Sequence, residues 1–187
     1  MDSVIVLASK SPRRRELFSL VRKNFISAES HVDESVIAET RPEALCVALA
    51  ALKGEAVAQL YPKQTVVGCD TVVSLDHRIL GKPKSREEAL GMLRVLSGRK
   101  HAVWTGVCVI TPGGKQTFAC RTDVEFFDVP EDELAAYVDS GDPYDKAGAY
   151  GIQGGAAKFI RGIEGDYYNV MGLPVSRLHN LLRSMGL

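Results

Sequence analysis

Asp70 lies inside Thr65-Val66-Val67-Gly68-Cys69-Asp70-Thr71-Val72-Val73-Ser74-Leu75, a run that otherwise has the composition of a buried β-strand. A lone carboxylate there is costly unless it is paired, hydrogen-bonded or bound to a metal. Its presence points to chemistry, with a structural ion pair as the plainer alternative. A second group is Ser9-Lys10-Ser11-Pro12-Arg13-Arg14-Arg15. Ser11 and Pro12 are a helix-start signature. Helix N-termini offer free N–H groups and the positive end of a dipole, so this stretch is a phosphate-binding candidate. Arg13 and Arg14 can clamp phosphate oxygens bidentately. The plainer reading is a solvated basic helix start.

Asp33-Glu34-Ser35 sets two carboxylates side by side. Such oxygen donors hold Mg²⁺ or Mn²⁺, although adjacent acids in a polar loop are more often just solvated. Lys82, in Gly81-Lys82-Pro83, is placed by the turn that precedes it. A two-residue turn at Asp76-His77 sets it across from Thr71. A three-residue turn that includes Arg78 sets it across from Val72, on the face of Asp70, and is the expected arrangement. Lys53 lies one helical turn after Leu49, beside an apolar stripe, where a free ammonium is out of place unless it snorkels. Asp145–Gly155 is glycine-rich, which lets backbone approach a ligand closely. Within it Gln153 offers a donor and an acceptor, suited to a nucleobase edge.

Phosphate binders, metal-type carboxylates and a base-reading amide are together the parts of a metal-assisted nucleotide hydrolase. Neither G-x-x-x-x-G-K-[ST] nor G-x-G-x-x-G occurs, so a P-loop ATPase or Rossmann dehydrogenase has no support. The four histidines, His31, His77, His101 and His179, are scattered, and give no Ser-His-Asp arrangement. Cys46, Cys69, Cys108 and Cys120 form no C-x-x-C pair and sit in apolar segments, which fits a reduced, cytoplasmic setting.

The elements that must position these groups are legible from pattern. Val4–Ser9 is a short apolar strand, and the helix opened by Ser11-Pro12 is expected to reach about Lys23. Phe25–Ala28 and Thr65–Leu75 read as strands. Pro42 to about Leu60 is helical, with Leu45, Leu49, Leu52, Ala56 and Leu60 on one stripe. Ser85-Arg86-Glu87-Glu88 is a capping box opening a helix to about Leu96. His101–Thr111 and Lys115–Phe127 flank Pro112-Gly113-Gly114 as a hairpin. Pro130–Asp139 is helical, Asp142–Gly155 a long loop, Lys158–Ile163 a strand and Pro174–Met185 a closing amphipathic helix. The order gives an α/β fold with a mixed, twisted β-sheet and helices on its faces. The length of 187 residues suits one domain, 1–187. Lys+Arg and Asp+Glu number 23 each, a zero net charge that argues against a nucleic-acid partner. No apolar run is long enough to span a membrane, and Met1–Ser9 lacks the features of a signal peptide.

Over nearly its whole length the chain resembles the Maf family of nucleoside triphosphate pyrophosphatases. The matching stretches are Ser9–Arg14, Val32–Ser35, Gly68–Val73, Gly81–Pro83, Ser97–Arg99 with His101, Thr105–Val107, Asp145–Gly154 and Gly165–Pro174. The resemblance implies a Maf/ITPase-like elongated fold of two lobes with a central cleft, often a homodimer. It implies a house-cleaning enzyme that cleaves a nucleoside triphosphate to the monophosphate and pyrophosphate with a divalent metal, Mg²⁺ or Mn²⁺. The Asp145–Gly154 stretch resembles the branch acting on dTTP, UTP and modified pyrimidine nucleotides. The alternatives are the 7-methyl-GTP branch and a nucleotide-binding regulator of septum formation with little turnover. On this reading Asp70 orients or deprotonates the attacking water or ligates the metal, and Glu34 is the second metal carboxylate. Arg13, Arg14, Lys53 and Lys82 neutralise the triphosphate, Ser9 donates to phosphate and Gln153 reads the base. Thr71 joins the substrate-binding set, although an ideal strand turns it away from Asp70. Cys69 and Asp142 depart from the family's usual Ala and Glu, with Asp142's partner open.

Overall fold

The structure, a computed structural model, describes residues 4–187; Met1–Ser3, the start of the segment expected to carry no leader, lie outside the described residues. The elements in chain order are β1 (Ile5–Ala8), α1 (Pro12–Ser19), β2 (Phe25–Ala28), α2 (Pro42–Leu60), β3 (Thr65–Leu75) and β4 (Arg78–Leu80). They continue as α3 (Arg86–Leu96), β5 (Lys100–Thr111), β6 (Gly114–Phe126), α4 (Glu131–Asp139), β7 (Ile160–Glu164), α5 (Tyr167–Met171) and α6 (Val175–Ser184). The seven strands form one mixed sheet in the order β2-β1-β3-β5-β6-β7, with β4 beside β3. β2, β1 and the first half of β3 run parallel, and the remaining pairs are antiparallel.

Several elements differ in extent from the sequence expectation; β7 begins at Ile160 rather than Lys158, because Gly155–Phe159 forms a 3-10 turn. Helix α1 ends at Ser19 rather than near Lys23, because Leu20 and Val21 bond back to Leu17 and Phe18 only three residues away. The 142–155 loop is a chain of 3-10 turns rather than irregular coil. Short α5 had no sequence signal of its own. It is capped by Asp166, whose carboxylate accepts from the amides of Tyr168 and Asn169.

The stripe by which α2 packs is also not the expected one. Cys46, Leu49, Ala50, Gly54 and Val57 are buried, whereas Leu60 is 70% exposed. Small residues win that face because α2 lies almost in contact with the sheet. A Cβ on Gly68 would fall 2.2 Å from the Ala50 carbonyl oxygen, and one on Gly106 would fall 2.2 Å from that of Cys46. Gly68 and Gly106 thus set the depth at which the helix rides.

One apolar cluster joins α1 and α6 to the sheet face opposite α2, through Leu17, Phe18, Val67, Cys69, Leu178 and Leu182. A second lies at the other end of the sheet and packs α3 and α4 onto Leu80, Val103, Val124 and Phe126. The buried Leu178 and Leu182 place the apolar side of α6 in the core.

Candidate active site

β3 carries the site because its pairing changes along its length. β5 follows one side from Val66 to Ser74. On the other side β1 pairs with Thr65–Gly68 and β4 with Val73–Leu75, so among the described residues no strand covers that edge at Cys69–Val72. A crevice of this kind, where strand partners switch, is where open α/β sheets bind ligands. Here it opens as a cleft of ≈ 1190 Å³ whose walls include Ser9, Arg13, Asp70, Thr71, Lys82 and Gln153. Arg14, Glu34 and Lys53 line it as well, so the nine candidate residues from the sequence share one cavity.

Asp70 and Thr71 face opposite sides of the sheet. Asp70, only 8% exposed, lies on the α2 side, directly across from Gly106. Because α2 rides low on the glycines, Lys53 Nζ reaches Asp70 Oδ1 at 2.5 Å and Glu34 Oε1 at 2.9 Å. Burial alone would push the Lys53 ammonium down, but the Asp70 charge and the hydrogen bonds to Asp70 and Glu34 outweigh it and hold its pKa above the usual lysine value. Lys53 is an ion-paired group of the cleft wall rather than a snorkelling helix lysine. Asp33 and Glu34 divide their roles. Asp33 caps the following 3-10 turn, accepting from the Ser35 amide at 2.9 Å and hydroxyl at 2.7 Å, and only Glu34 meets Lys53.

On the Thr71 side, Arg14 donates from Nε to the Gly172 carbonyl at 3.0 Å and from its second terminal nitrogen to Thr71 Oγ1 at 3.0 Å. That edge of the guanidinium is therefore engaged, and a bidentate grip on phosphate falls to Arg13 more readily than to Arg14. Arg13 in turn reaches across the cleft to Asp145 at 3.2 Å. The helix start itself offers little. Pro12 has no amide hydrogen and the Ser11 hydroxyl accepts from the Arg14 amide. Ser9 Oγ accepts from the Ser11 amide at 3.2 Å, which leaves its own proton free to donate.

Lys82 reaches the cleft by a route other than the expected one. The turn has two residues, with Leu75 paired to Arg78. Asp76 and His77 both take positive φ, 49° and 65°, the backbone of a tight hairpin turn usually built with glycine. The register would set Lys82 across from Thr71, but pairing stops at Leu80 and the chain peels off. Gly81 then accepts from the Gly148 amide at 2.9 Å, which ties the Lys82 segment to the glycine-rich loop.

That loop is pinned at several points. Asp142 accepts from Tyr137 at 2.8 Å and from Lys146 at 3.0 Å, and Lys146 also bonds Asp145 at 2.7 Å. Burial disfavours ionisation of Asp142 and Asp145, but the hydrogen bond and charge of Lys146, joined by the Tyr137 hydrogen bond at Asp142 and by Arg13 at Asp145, together outweigh it and hold both below the usual carboxylate range. Asp142 is thus a loop anchor. Ala149 takes φ 60° while fully buried, and Tyr150 bonds His101 Nε2 at 2.8 Å. Burial lowers the His101 pKa to about 4. His101 and Thr105 were not singled out by residue chemistry, because their partners lie 49 and 34 residues away in sequence. The thiols stay out of the chemistry: burial pushes Cys46 up to about 12, and Cys69 is raised too.

A family model described as Maf-like protein matches residues 4–185. The chain is 48% identical to a dTTP/UTP pyrophosphatase of Geobacillus sp. (strain WCH70) over 182 residues, 97% of this chain and 98% of that one. It is 45% identical to a dTTP/UTP pyrophosphatase of Bacillus cereus (strain AH187), over 98% of this chain and 96% of that one. Among solved structures it is similar to the Staphylococcus aureus Ham1 protein, with a TM-score of 0.54 at 18% identity over 97% and 98% of the two chains. A HAM1 protein from Coxiella burnetii gives a TM-score of 0.52 at 13% identity, covering 97% and 99%. At those identities the structural likeness speaks for the fold alone. The family match, the two relatives and the cleft at the partner switch of β3 agree, and the chain belongs to the Maf family.

Proposed function

We infer that this protein is a nucleoside triphosphate pyrophosphatase acting on dTTP and UTP, releasing the nucleoside monophosphate and pyrophosphate. The observation that carries this is Asp70, buried in the cleft wall with Lys53 at 2.5 Å, in a chain 48% identical to a dTTP/UTP pyrophosphatase. A site that only bound a triphosphate has no need of a carboxylate there, which repels phosphate unless a metal intervenes.

Water attacks the α-phosphorus, the bond to the bridging oxygen breaks, and pyrophosphate leaves. Asp70 takes the proton of that water. The Lys53 ammonium, at 2.5 Å, holds the Asp70 carboxylate in position. Arg13 and Lys82, with Arg14 behind them, offset the charge that builds on the leaving group. Ser9 donates to a phosphate oxygen, and Thr71 and Gln153 meet the base. Glu34 and Asp70 already share one cation in Lys53, and their oxygens are the donors that would hold a divalent ion. Mg²⁺ or Mn²⁺ held there would supply Lewis-acid stabilisation of the phosphoryl oxygens. Among the described residues no three His, Cys, Asp or Glu side chains cluster.

The apolar clusters share one sheet, which supports residues 1–187 acting as a single domain. Among the described residues no helix is long and apolar enough to cross a membrane. A cytoplasmic homodimer without nucleic-acid partners completes the reading.

The test is pyrophosphate release from dTTP, UTP, CTP, GTP and 7-methyl-GTP, with Mg²⁺, Mn²⁺ or EDTA. Metal-dependent release led by dTTP and UTP is expected. Release led by 7-methyl-GTP would overturn the pyrimidine assignment, and nucleotide binding without release would overturn the enzyme.

A further inference from the structure

Three oxygens behind the cleft form a line with only two protons among them. Thr71 Oγ1 lies 2.9 Å from Thr105 Oγ1, which lies 3.0 Å from the carbonyl oxygen of Asn169. A carbonyl cannot donate, so the Thr105 proton goes to Asn169. Thr105 must then accept from Thr71, because the reverse arrangement sets lone pairs against each other at Asn169. A hydroxyl has one proton and two acceptor positions. The Thr71 proton is spent on Thr105, and one acceptor position takes the Arg14 hydrogen bond at 3.0 Å. What remains for the cleft, which Thr71 lines, is one acceptor.

We propose that Thr105 is a specificity-determining positioning residue: by taking the Thr71 proton it makes Thr71 an acceptor toward the ligand, so that the site selects a base with an N–H at that place. This rests on the pyrimidine triphosphate reading above. An acceptor-only oxygen repels phosphate, so the anionic end of the ligand lies toward Ser9, Arg13 and Lys82 and the base toward Thr71 and Gln153. Uracil and thymine carry their one edge donor at N3, whereas cytosine carries a bare acceptor at that atom. A hydroxyl free to turn would serve either base, and a hydroxyl locked by Thr105 serves one. Thr105 is fully buried and does not line the cleft, so it acts only through Thr71.

The experiment compares kcat/KM for dTTP and dCTP in the wild type, Thr105→Val and Thr105→Ser, with thermal midpoints alongside. Valine matches threonine in shape, and the Asn169 carbonyl keeps its bond from the Gly172 amide at 3.0 Å, so no buried acceptor is orphaned. Thr105→Val is expected to lower the dTTP-to-dCTP ratio about tenfold, chiefly by raising dCTP turnover, a change on the scale of one hydrogen bond. Thr105→Ser is expected to restore the wild-type ratio. If valine destabilises the protein, Thr105→Ala removes the same acceptor without overpacking and must shift the ratio the same way. An unchanged ratio in a folded Thr105→Val, or a serine variant that behaves like valine, overturns the role of Thr105 and leaves the pyrophosphatase standing. A wild type without preference for dTTP over dCTP overturns the dTTP/UTP reading and this inference together.

Discussion

Asp70 and Thr71 are neighbours in sequence with opposite duties, and the alternation of a strand is what separates them. Asp70 faces α2 and its lysine, and Thr71 faces Arg14 and Thr105. Asp70→Asn keeps the shape and removes the base, so turnover should fall by about 10³-fold with the thermal midpoint little changed. A variant at near-full rate would contradict the assignment. Lys53→Met leaves two carboxylates facing each other without their cation. Stability should fall by about 2 kcal/mol, read as a lower denaturant midpoint. Adding Asp70→Asn to Lys53→Met should recover part of that loss, because the repulsion is then relieved; strict additivity would show that the two side chains do not interact. Asp70 itself was visible in the sequence because a carboxylate in a valine-rich strand violates the ordinary pattern. The division of labour between Asp33 and Glu34 was not visible, since one is consumed by a turn cap that no spacing rule reveals.

At the scale of elements, the helix that delivers Lys53 is set by two glycines on the strands beneath it. Gly106→Ala would push a methyl group to 2.2 Å from the Cys46 carbonyl oxygen. α2 would have to lift, at a cost of about 3 kcal/mol from overpacking, and Lys53 would draw away from Asp70. The expected result is a lower thermal midpoint together with a fall in kcat larger than any rise in KM. Loss of stability with kcat intact would detach the helix depth from the chemistry. The bounds of α2 and β3 were legible from apolar runs framed by Pro42 and the polar loops. The buried face of α2 was not, because leucines dominate a hydrophobic count while contact with Gly68 and Gly106 selects Cys46, Ala50 and Gly54. The Asp76-His77 turn misled for a similar reason. Its positive φ values normally announce themselves through glycine, and here Asp and His adopt them.

Across the whole molecule, the cleft exists because β3 changes partners from β1 to β4, and the far wall is hung from the second apolar cluster. Tyr150 of that wall is held by His101, which burial keeps neutral down to a pH of about 4 against an ordinary 6.5. Between those values the unfolded chain binds a proton that the folded chain refuses. Stability is therefore complete above the ordinary value and declines as pH falls toward the folded one, by at most about 3 kcal/mol. Thermal midpoints measured over that window should drop with pH in the wild type and drop less in His101→Gln; parallel slopes would remove His101 as the source. The order of strands and helices was legible along the chain. The cleft was legible only through the family resemblance, since it arises from a gap between strands that no local pattern marks.

The most direct test of the central claim is hydrolysis of dTTP in water enriched in oxygen-18, with the products separated and weighed by mass spectrometry. Attack on the α-phosphorus under Asp70 predicts pyrophosphate without label and dTMP carrying one oxygen-18. Label in the pyrophosphate, or release of dTDP and orthophosphate, would contradict the account.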